Sequence, residues 1–265
     1  MCKIIAVANQ KGGVSKTTTT VNLGIGLARK GQKVLLIDND AQGSLTASLG
    51  FKDTGAIRYT LATVLDKIVN GEDYDPFEGI LHHQEGVDLM PANHKLSYVE
   101  TALMGEFFIL KEYIESLKDK YDWIIIDCAP TLSGTTMNAM TAADSVLIPI
   151  QTSYLSIKGL EQLVKRTIWR LKKNKINPGL KIEGILYTLY DGRTNYSKDI
   201  KSIIEENYGN EVKIFKVPIP QSVRVTECAS EGVSIYKYDP KGKAALGYES
   251  LPQEILENAK TGGDL

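Results

Sequence analysis

The stretch that decides the fold is KIIAVANQKGGVSKTTTTVNLG, residues 3–24. Its first residues form an apolar run typical of a buried strand, and its last residues belong to a helical segment that we expect to end at Gly31. A helix that follows a strand presents unpaired backbone N–H groups and the positive end of its dipole at the junction. We therefore expect an anion to bind between this strand and this helix.

The residues at the junction suit a nucleoside phosphate. Gly12 and Gly13 allow the backbone to curl closely around a phosphate. Lys16 would reach the terminal phosphates, and the Thr17 hydroxyl would ligate Mg²⁺. A glycine turn with a solvated lysine is the simpler interpretation, but it does not explain this order of strand, glycines, Lys-Thr pair and helix. The standard pattern G-x-x-x-x-G-K-[ST] is broken at both glycine positions, the first of which is Gln10.

Further apolar runs follow, with helical segments between them. They are KVLLID (33–38), VDLMPAN (87–93), DWIIID (122–127), SVLIPIQ (145–151), IEGILYTLY (182–190) and IFKVPIP (214–220). Most are uninterrupted Val, Ile and Leu, which is typical of parallel strands covered on both faces. The sequence thus predicts an α/β fold with a doubly wound, mostly parallel sheet flanked by helices on both faces. Without a linker or repeat, residues 1–265 are expected to form a single domain that ends in a helix and a frayed tail from about residue 258.

The overall composition excludes several classes of protein. Basic and acidic side chains nearly balance, with a net charge of −1, so any nucleic acid must bind to a local patch. The three cysteines are far apart in sequence, which argues against a disulfide framework and a cysteine-bound metal. No apolar stretch has the length of a signal peptide or a membrane span, so we expect a cytoplasmic protein.

KGGVSKTT (11–18) resembles the deviant phosphate-binding loop KGGxGK[ST], in which a second lysine, here Lys11, precedes the glycines. Further matching segments are LLIDNDAQGSLT (35–46), YDWIIIDCAP (121–130), YDGRTNY (190–196), PIPQSVRVTECASEG (218–232) and YDPKGKAA (238–245). Together they resemble the ParA/Soj family of chromosome- and plasmid-partition ATPases of the MinD/ParA superfamily over nearly the whole chain. The resemblance implies a P-loop NTPase-like fold and a slow, partner-stimulated ATPase with ATP and Mg²⁺ as cofactors.

The resemblance also implies roles for individual residues. The loop would bind ATP through Lys11, Gly12, Gly13, Val14, Ser15, Lys16, Thr17 and Thr18, with Pro220 and Ser222 lining the adenine. Asp40 would orient the attacking water, while Thr17, Asp38 and Asp127 would hold Mg²⁺. Lys11 would act with Lys16 in catalysis by crossing to the phosphates of a second copy, so that a homodimer sandwiches two ATP molecules.

Ser15 departs from the family pattern, which has glycine just before the lysine. A Cβ beside the phosphates would crowd the site at a cost of about 1–3 kcal/mol, or up to roughly a hundredfold in affinity. A positive φ at this position would add about 1–2 kcal/mol. We therefore expect weakened ATP binding, and a nucleotide-impaired ParA-like scaffold or DNA-binding adaptor stays open as the alternative. The retained loop lysines and acidic residues argue against complete loss.

Two features concern DNA. Residues 158–175 carry seven basic side chains and one acidic one, a pattern that most often marks only a solvated helix face. The resemblance adds Arg193 and Arg224, which match arginines that contact DNA without sequence preference, and it implies a nucleoid-associated protein with a ParB-type centromere-binding partner. A MinD-like membrane switch is not expected, because the C-terminal segment is acidic and short of aromatic residues. The cluster cysteines of a nitrogenase-type iron protein and the tyrosine-rich tail of a bacterial tyrosine kinase are also absent from the sequence.

Overall fold

The computed structural model describes residues 2–260 and contains a seven-stranded sheet of order β3-β4-β2-β5-β1-β6-β7. Neighbouring strands are parallel except for β3 and β4, which pair antiparallel at one edge. The strands are β1 (Lys3–Val7), β2 (Val34–Asn39), β3 (Leu81–His82), β4 (Val87–Met90), β5 (Trp123–Cys128), β6 (Ser145–Ile150) and β7 (Lys181–Tyr187). The predicted doubly wound, mostly parallel sheet is confirmed.

Helices cover both faces of this sheet. They are α1 (Lys16–Ala28), α2 (Ser44–Ser48), α3 (Leu61–Asn70), α4 (Leu96–Ala102), α5 (Ile109–Glu115), α6 (Gly134–Ala142), α7 (Tyr154–Glu161), α8 (Trp169–Lys173), α9 (Asn195–Tyr208), α10 (Val223–Glu231), α11 (Ile235–Tyr238) and α12 (Lys243–Lys260). A π-helical segment, Gln162–Ile168, joins α7 to α8 in one continuous helix, and a short 3₁₀ turn spans Thr54–Ala56. Among residues 2–260, no helix combines the length and apolarity needed to cross a bilayer.

Alternating side chains of each central strand enter two separate cores. From β1, Ile4 and Ala6 pack with α3 to α9, whereas Ile5 and Val7 pack with α1, α2 and α10 to α12. Because both faces are buried, the central strands are apolar at nearly every position, which is why they appear as continuous apolar runs in the sequence. Both cores lie against one sheet, which supports the single-domain organisation that we propose for residues 1–265.

Two strand assignments differ from expectation. The run at 214–220 is not a strand, and it makes only isolated bridges from Ile214 to Ile185 and from Pro220 to Tyr190. Pro218 and Pro220 have no backbone N–H to donate, so this segment cannot continue a hydrogen-bonded ladder. Conversely, β3 has only two residues, too few to leave an apolar pattern in the sequence.

The last helix is longer than expected. α12 continues through Lys260 and tolerates Pro252 in its interior. It packs against α1 so closely that a Cβ at Gly26 would lie 2.8 Å from the Tyr236 hydroxyl and 2.9 Å from Pro252 Cγ. Most of the tail expected to fray falls at residues 261–265, which lie outside the described residues.

Candidate nucleotide-binding site

The loop between β1 and α1 has the curvature expected of a phosphate cradle. Gly13 has a φ of 71°, and a Cβ placed at Gly12 or Gly13 would meet nothing within 4 Å, so the concave side is open. Its backbone is held by neighbouring elements, since the Thr188 hydroxyl donates to Val14 O at 3.0 Å and the Gln151 amide donates to Gly13 O at 2.8 Å. Residues that follow β6 and β7 therefore fix the shape of the loop.

Ser15 adopts the left-handed backbone conformation, with φ 62° and ψ 33°, immediately before α1. Its side chain makes no capping hydrogen bond to the helix, although its carbonyl accepts from Thr19 N at 2.9 Å. This region of φ favours glycine, and a residue with a Cβ pays about 1–2 kcal/mol to occupy it. The strain of this conformation is part of the folded loop itself and lowers the stability of the native state.

A hydroxyl and a carboxylate meet beside the loop. Thr17 Oγ1 donates to Asp127 Oδ2 at 2.7 Å, and Thr20 Oγ1 lies 3.2 Å from Asp127 Oδ1. Asp127 is at the carboxyl end of β5 and pairs in register with Asp38 on β2, so two carboxylates are delivered to the same edge of the sheet. Ligands of doubly wound sheets bind at this edge.

Both carboxyl groups are buried away from water, and this changes their protonation. Burial, followed by the charge of Asp38, raises the pKa of Asp127 to about 7. Burial also raises the pKa of Asp38 to about 6, against the hydrogen bonds from Thr46. Lys16 is likewise buried, which lowers its pKa, while the charge of Asp127 opposes that shift. The cluster is short of positive charge, and a divalent cation with oxygen ligands fits it.

The two predicted acidic residues of β2 and its following turn lie in different environments. Asp38 Oδ2 accepts from both the backbone N–H and the hydroxyl of Thr46, at 2.8 and 2.7 Å. Asp38 therefore fixes the start of α2 in addition to its position beside Asp127. Asp40 is only half-buried, and its Oδ1 accepts from Gln42 N at 3.0 Å. Asp40 lies on the solvent side of the cluster, where a water molecule can reach it.

Lys11 is turned toward its own chain. Its Nζ donates to Gln151 Oε1 at 3.1 Å, Ser153 Oγ at 3.1 Å and Ser156 Oγ at 3.4 Å. We call these three residues the lysine cradle. They lie where β6 leads into α7, about 140 positions along the chain from Lys11, so sequence reasoning missed them. The nearby Lys16 Nζ reaches the Lys11 carbonyl at 3.3 Å.

Pro220 and Ser222, the expected adenine contacts, lie beside an extension of β7. Pro220 is bridged to Tyr190, and the Ser222 side chain makes no capping bond to α10 although it precedes that helix. Two residues before Tyr190, Thr188 holds the phosphate loop through Val14. Both half-buried residues therefore lie at the same end of the sheet as the loop.

The two arginines expected to contact DNA are exposed but paired within the chain. Arg193 is 90% exposed, and its guanidinium donates two parallel bonds of 2.8 Å to the Asp191 carboxylate. These bonds lower the pKa of Asp191 to about 2. Arg224 is 60% exposed and lies 3.0 Å from Glu227 Oε2. Solvent screens exposed pairs of this kind and leaves them weak, so a phosphate could replace either carboxylate.

Comparisons with known proteins identify the family of the chain. A family model described as an AAA domain matches residues 2–182. The chain is 39% identical over 262 residues to the sporulation initiation inhibitor protein Soj of Bacillus subtilis, covering 97% of this chain and 100% of the relative. It is 36% identical over 263 residues to the chromosome partitioning protein ParA of Caulobacter vibrioides, covering 97% and 95% of the two chains.

Solved structures show the same fold. Cobyrinic acid a,c-diamide synthase from Mycobacterium smegmatis, solved with ADP and magnesium, has a TM-score of 0.84 and 35% identity, with 99% of this chain and 97% of that chain covered. The septum site-determining protein MinD from Pyrococcus horikoshii, solved with Mg-ADP, has a TM-score of 0.76 and 27% identity, with 96% of each chain covered.

The glycine loop after β1 and the acidic ends of β2 and β5 define a P-loop nucleotide-binding protein with a deviant loop. The chain belongs to the ParA/Soj family of partition ATPases, within the MinD/ParA superfamily.

Proposed function

We propose that this chain is a Mg²⁺-ATP-dependent, dimerising ATPase that binds DNA without sequence preference and drives chromosome or plasmid partition. Its partner would be a ParB-type centromere-binding protein, and its location the cytoplasm, on the nucleoid. The observation that carries the proposal is the hydrogen bond between Thr17 and Asp127 beside the buried Lys16. A hydroxyl, a carboxylate and a lysine at the mouth of a glycine loop are the groups that a Mg²⁺-nucleotide requires.

Each loop residue has a distinct part in this proposal. Backbone N–H groups of residues 12–18 would donate to the phosphates, while Lys16 would exchange its contact with the Lys11 carbonyl for a phosphate oxygen. Thr17 and Asp127 would hold Mg²⁺, with Asp38 behind them. When bound, the cation neutralises the charge that develops on the phosphate oxygens. Pro220 and Ser222 would contact the adenine.

Hydrolysis needs a group that orients the attacking water. Asp40 is the acidic residue of the cluster that stays half-exposed, so we assign it this role. Lys11 would supply a positive charge to the phosphates of a second copy, much as an arginine finger does. To reach across, it must first leave the lysine cradle, which makes dimerisation depend on the phosphate that replaces the cradle's oxygens.

The test is the Asp40→Ala variant, compared with the exposed Asp119→Ala as a control of equal charge. Size-exclusion chromatography with light scattering in Mg²⁺-ATP should give a stable dimer for Asp40→Ala, because ATP binds but is not hydrolysed. Asp119→Ala should behave like the wild type, which dimerises with ATP and dissociates after hydrolysis. An Asp40→Ala protein that binds ATP but stays monomeric would contradict the roles assigned to Asp40 and Lys11. If no variant binds ATP, the scaffold or adaptor alternative is the better one.

A second test concerns the arginines. Charge reversal at Arg193 and Arg224 should weaken retention on DNA in Mg²⁺-ATP while leaving dimerisation intact, since both side chains project from the surface. A filter-binding assay with two unrelated duplexes of the same length should give equal affinities for the wild type. Retained DNA binding in the reversed variant would place the DNA contact elsewhere on the surface.

A further inference from the structure

The continuous helix made by α7, the π-helical segment and α8, residues 154–173, concentrates positive charge on a chain that is otherwise net negative. We call it the basic helix. It carries six basic side chains and one carboxylate, Glu161. The whole protein has a net charge of −1, so the remainder of the chain is acidic overall. Such local concentration, in a chain without bulk basicity, marks a surface that can attract polyanions.

Five of the six basic side chains, together with Trp169, form two adjacent rows on the outer side of the basic helix. One row consists of Lys165, Trp169 and Lys172, and the other of Arg166, Arg170 and Lys173, each at the i, i+4, i+7 spacing of a helix face. All six are exposed, and Trp169 retains 54% of its accessible surface. The opposite side is buried in the core through Leu163, Thr167, Ile168 and Leu171.

Most of the cations in the two rows form no ion pair with a carboxylate among the described residues, so they can bind an external anion. Among the described residues, the ion pair of the two rows is Lys165 with Glu161 at 3.0 Å, an exposed pair on the same helix. Lys173 is exposed and lies over the Trp169 ring, with 4.6 Å from Nζ to the ring centre. The contrast is with Arg193 and Arg224, whose guanidinium groups are each bonded to a neighbouring carboxylate.

The inner side of the basic helix touches the phosphate loop. Its first turn holds Lys11 through Ser156, and Ser153 just before it also accepts from Lys11. In the π-helical segment, Thr167 Oγ1 accepts from Gln10 Nε2 at 3.4 Å. The residue that follows Thr167 by three positions, Arg170, points to solvent. One rigid element therefore joins the loop at two points to the rows of cations.

We propose that the two rows of the basic helix are a binding surface for the phosphate backbone of duplex DNA. This inference rests on the proposed function and names a surface that would contact DNA in addition to Arg193 and Arg224. Phosphate contacts by lysine and arginine need no base readout, which suits binding without sequence preference. Insertion into a lipid surface is disfavoured, because the apolar side of the helix is buried in the core. The exposed large apolar side chains of the helix are Trp169 between the cations and Tyr154 and Leu155 at its start, which do not form a continuous apolar face.

The salt dependence of binding gives this surface a quantitative signature. Each phosphate contact adds about 0.9 to the slope of log affinity against log salt concentration. Removing two cations should therefore lower the slope by roughly 2 and weaken binding on the order of tenfold or more at moderate salt. A dimer carries two copies of the surface. If both copies contact DNA, four cations are removed, and the losses of slope and affinity are larger than for one copy.

The experiment compares Arg166→Glu with Arg170→Glu in one double variant against Lys30→Glu with Lys52→Glu in another. Lys30 and Lys52 are exposed and outside the basic helix, so the second variant has the same net charge as the first. Both are titrated with a labelled duplex of mixed sequence in Mg²⁺-ATP at several salt concentrations, with dimerisation measured in parallel. We expect the helix variant to lose affinity and slope while still dimerising, and the control to retain most of both.

Three outcomes would overturn the inference. The first is a wild type that binds DNA and two double variants with equal DNA affinity and equal slope. This result would rule out the basic helix as a DNA-binding surface and leave the proposed function intact. The second is a wild type that dimerises in ATP but does not bind duplex DNA, which would contradict both this inference and the DNA binding in the proposed function. Binding of the wild type to anionic phosphatidylglycerol vesicles in place of DNA would assign the surface to a membrane.

Discussion

Replacing Ser15 by glycine separates two costs that its side chain imposes. The first is conformational, because a residue with a Cβ occupies a φ of 62° in the loop. The second is steric, because in the proposed site the same Cβ would lie beside the phosphates. The conformational cost lowers the stability of the fold, and the steric cost lowers the affinity for the nucleotide. One variant should therefore change two independent measurements.

The expected change in stability is small. Relief of the left-handed conformation gains about 1–2 kcal/mol, while the greater freedom of glycine in the unfolded chain costs about 0.4–1 kcal/mol. The free energy of unfolding should therefore rise by about 0–1.6 kcal/mol. At about 2–4 °C per kcal/mol for a chain of this size, the melting temperature should rise by at most about 6 °C. Relief of crowding should tighten Mg²⁺-ATP binding by about 1–3 kcal/mol, which is roughly fivefold to a hundredfold.

The assays are differential scanning calorimetry without nucleotide and isothermal titration with Mg²⁺-ATP, each on the wild type, Ser15→Gly and Ser15→Ala. Ser15→Ala keeps the Cβ and removes the hydroxyl, so it should resemble the wild type in both assays. A lower affinity of Ser15→Ala would show that the hydroxyl contacts a phosphate. An unchanged melting temperature and affinity in Ser15→Gly would refute both parts of the reasoning. Binding by the glycine variant alone would favour the scaffold or adaptor alternative.

Three further changes probe the acidic cluster, the lysine cradle and the packing. Because burial raises the pKa of Asp127 to about 7, the native state holds an extra proton between about pH 4 and 7 and loses stability as the pH rises through that window. In urea titrations without nucleotide, the stability of Asp127→Asn should fall less than that of the wild type between about pH 4 and 7, and parallel curves would argue against this burial. Ser153→Ala with Ser156→Ala removes two acceptors from Lys11, so dimerisation should need less ATP; an unchanged threshold would mean that the cradle does not restrain Lys11. Gly232→Ala places a Cβ 2.5 Å from Gly50 Cα at a φ of 69°, which should cost about 2–5 kcal/mol of stability in the same titrations. A near-neutral effect would contradict the close backbone approach.

The sequence predicted the central sheet well because the relevant signal is local. A strand buried on both faces must be apolar at consecutive positions, and β1, β2, β5 and β6 are. The same reasoning failed at 214–220, where Ile and Val content resembles a strand but prolines remove the donors that a ladder needs. Local composition therefore predicted which segments are buried more reliably than it predicted which segments join the hydrogen-bonded sheet.

The candidate site likewise contains residues that the sequence alone indicates and residues that only the fold brings together. Lys16, Thr17 and the glycines could be found from their spacing alone, because the phosphate loop is contiguous in the chain. The lysine cradle could not, because Gln151 and Ser153 reach Lys11 only through the pairing of β6 with β1. The pairing of Arg224 with Glu227, three residues later on α10, was available in the sequence, since an arginine and a glutamate at that spacing share a helix face.

The contacts of the basic helix with the phosphate loop have a thermodynamic consequence. If Gln10 and Lys11 shift when ATP binds, the outer rows shift with them, because Thr167 and Ser156 belong to the same rigid element. Any factor by which ATP tightens the grip on DNA must then equal the factor by which DNA tightens the grip on ATP. A molecule bound to DNA would therefore have a higher affinity for ATP than one in free solution, by the same factor.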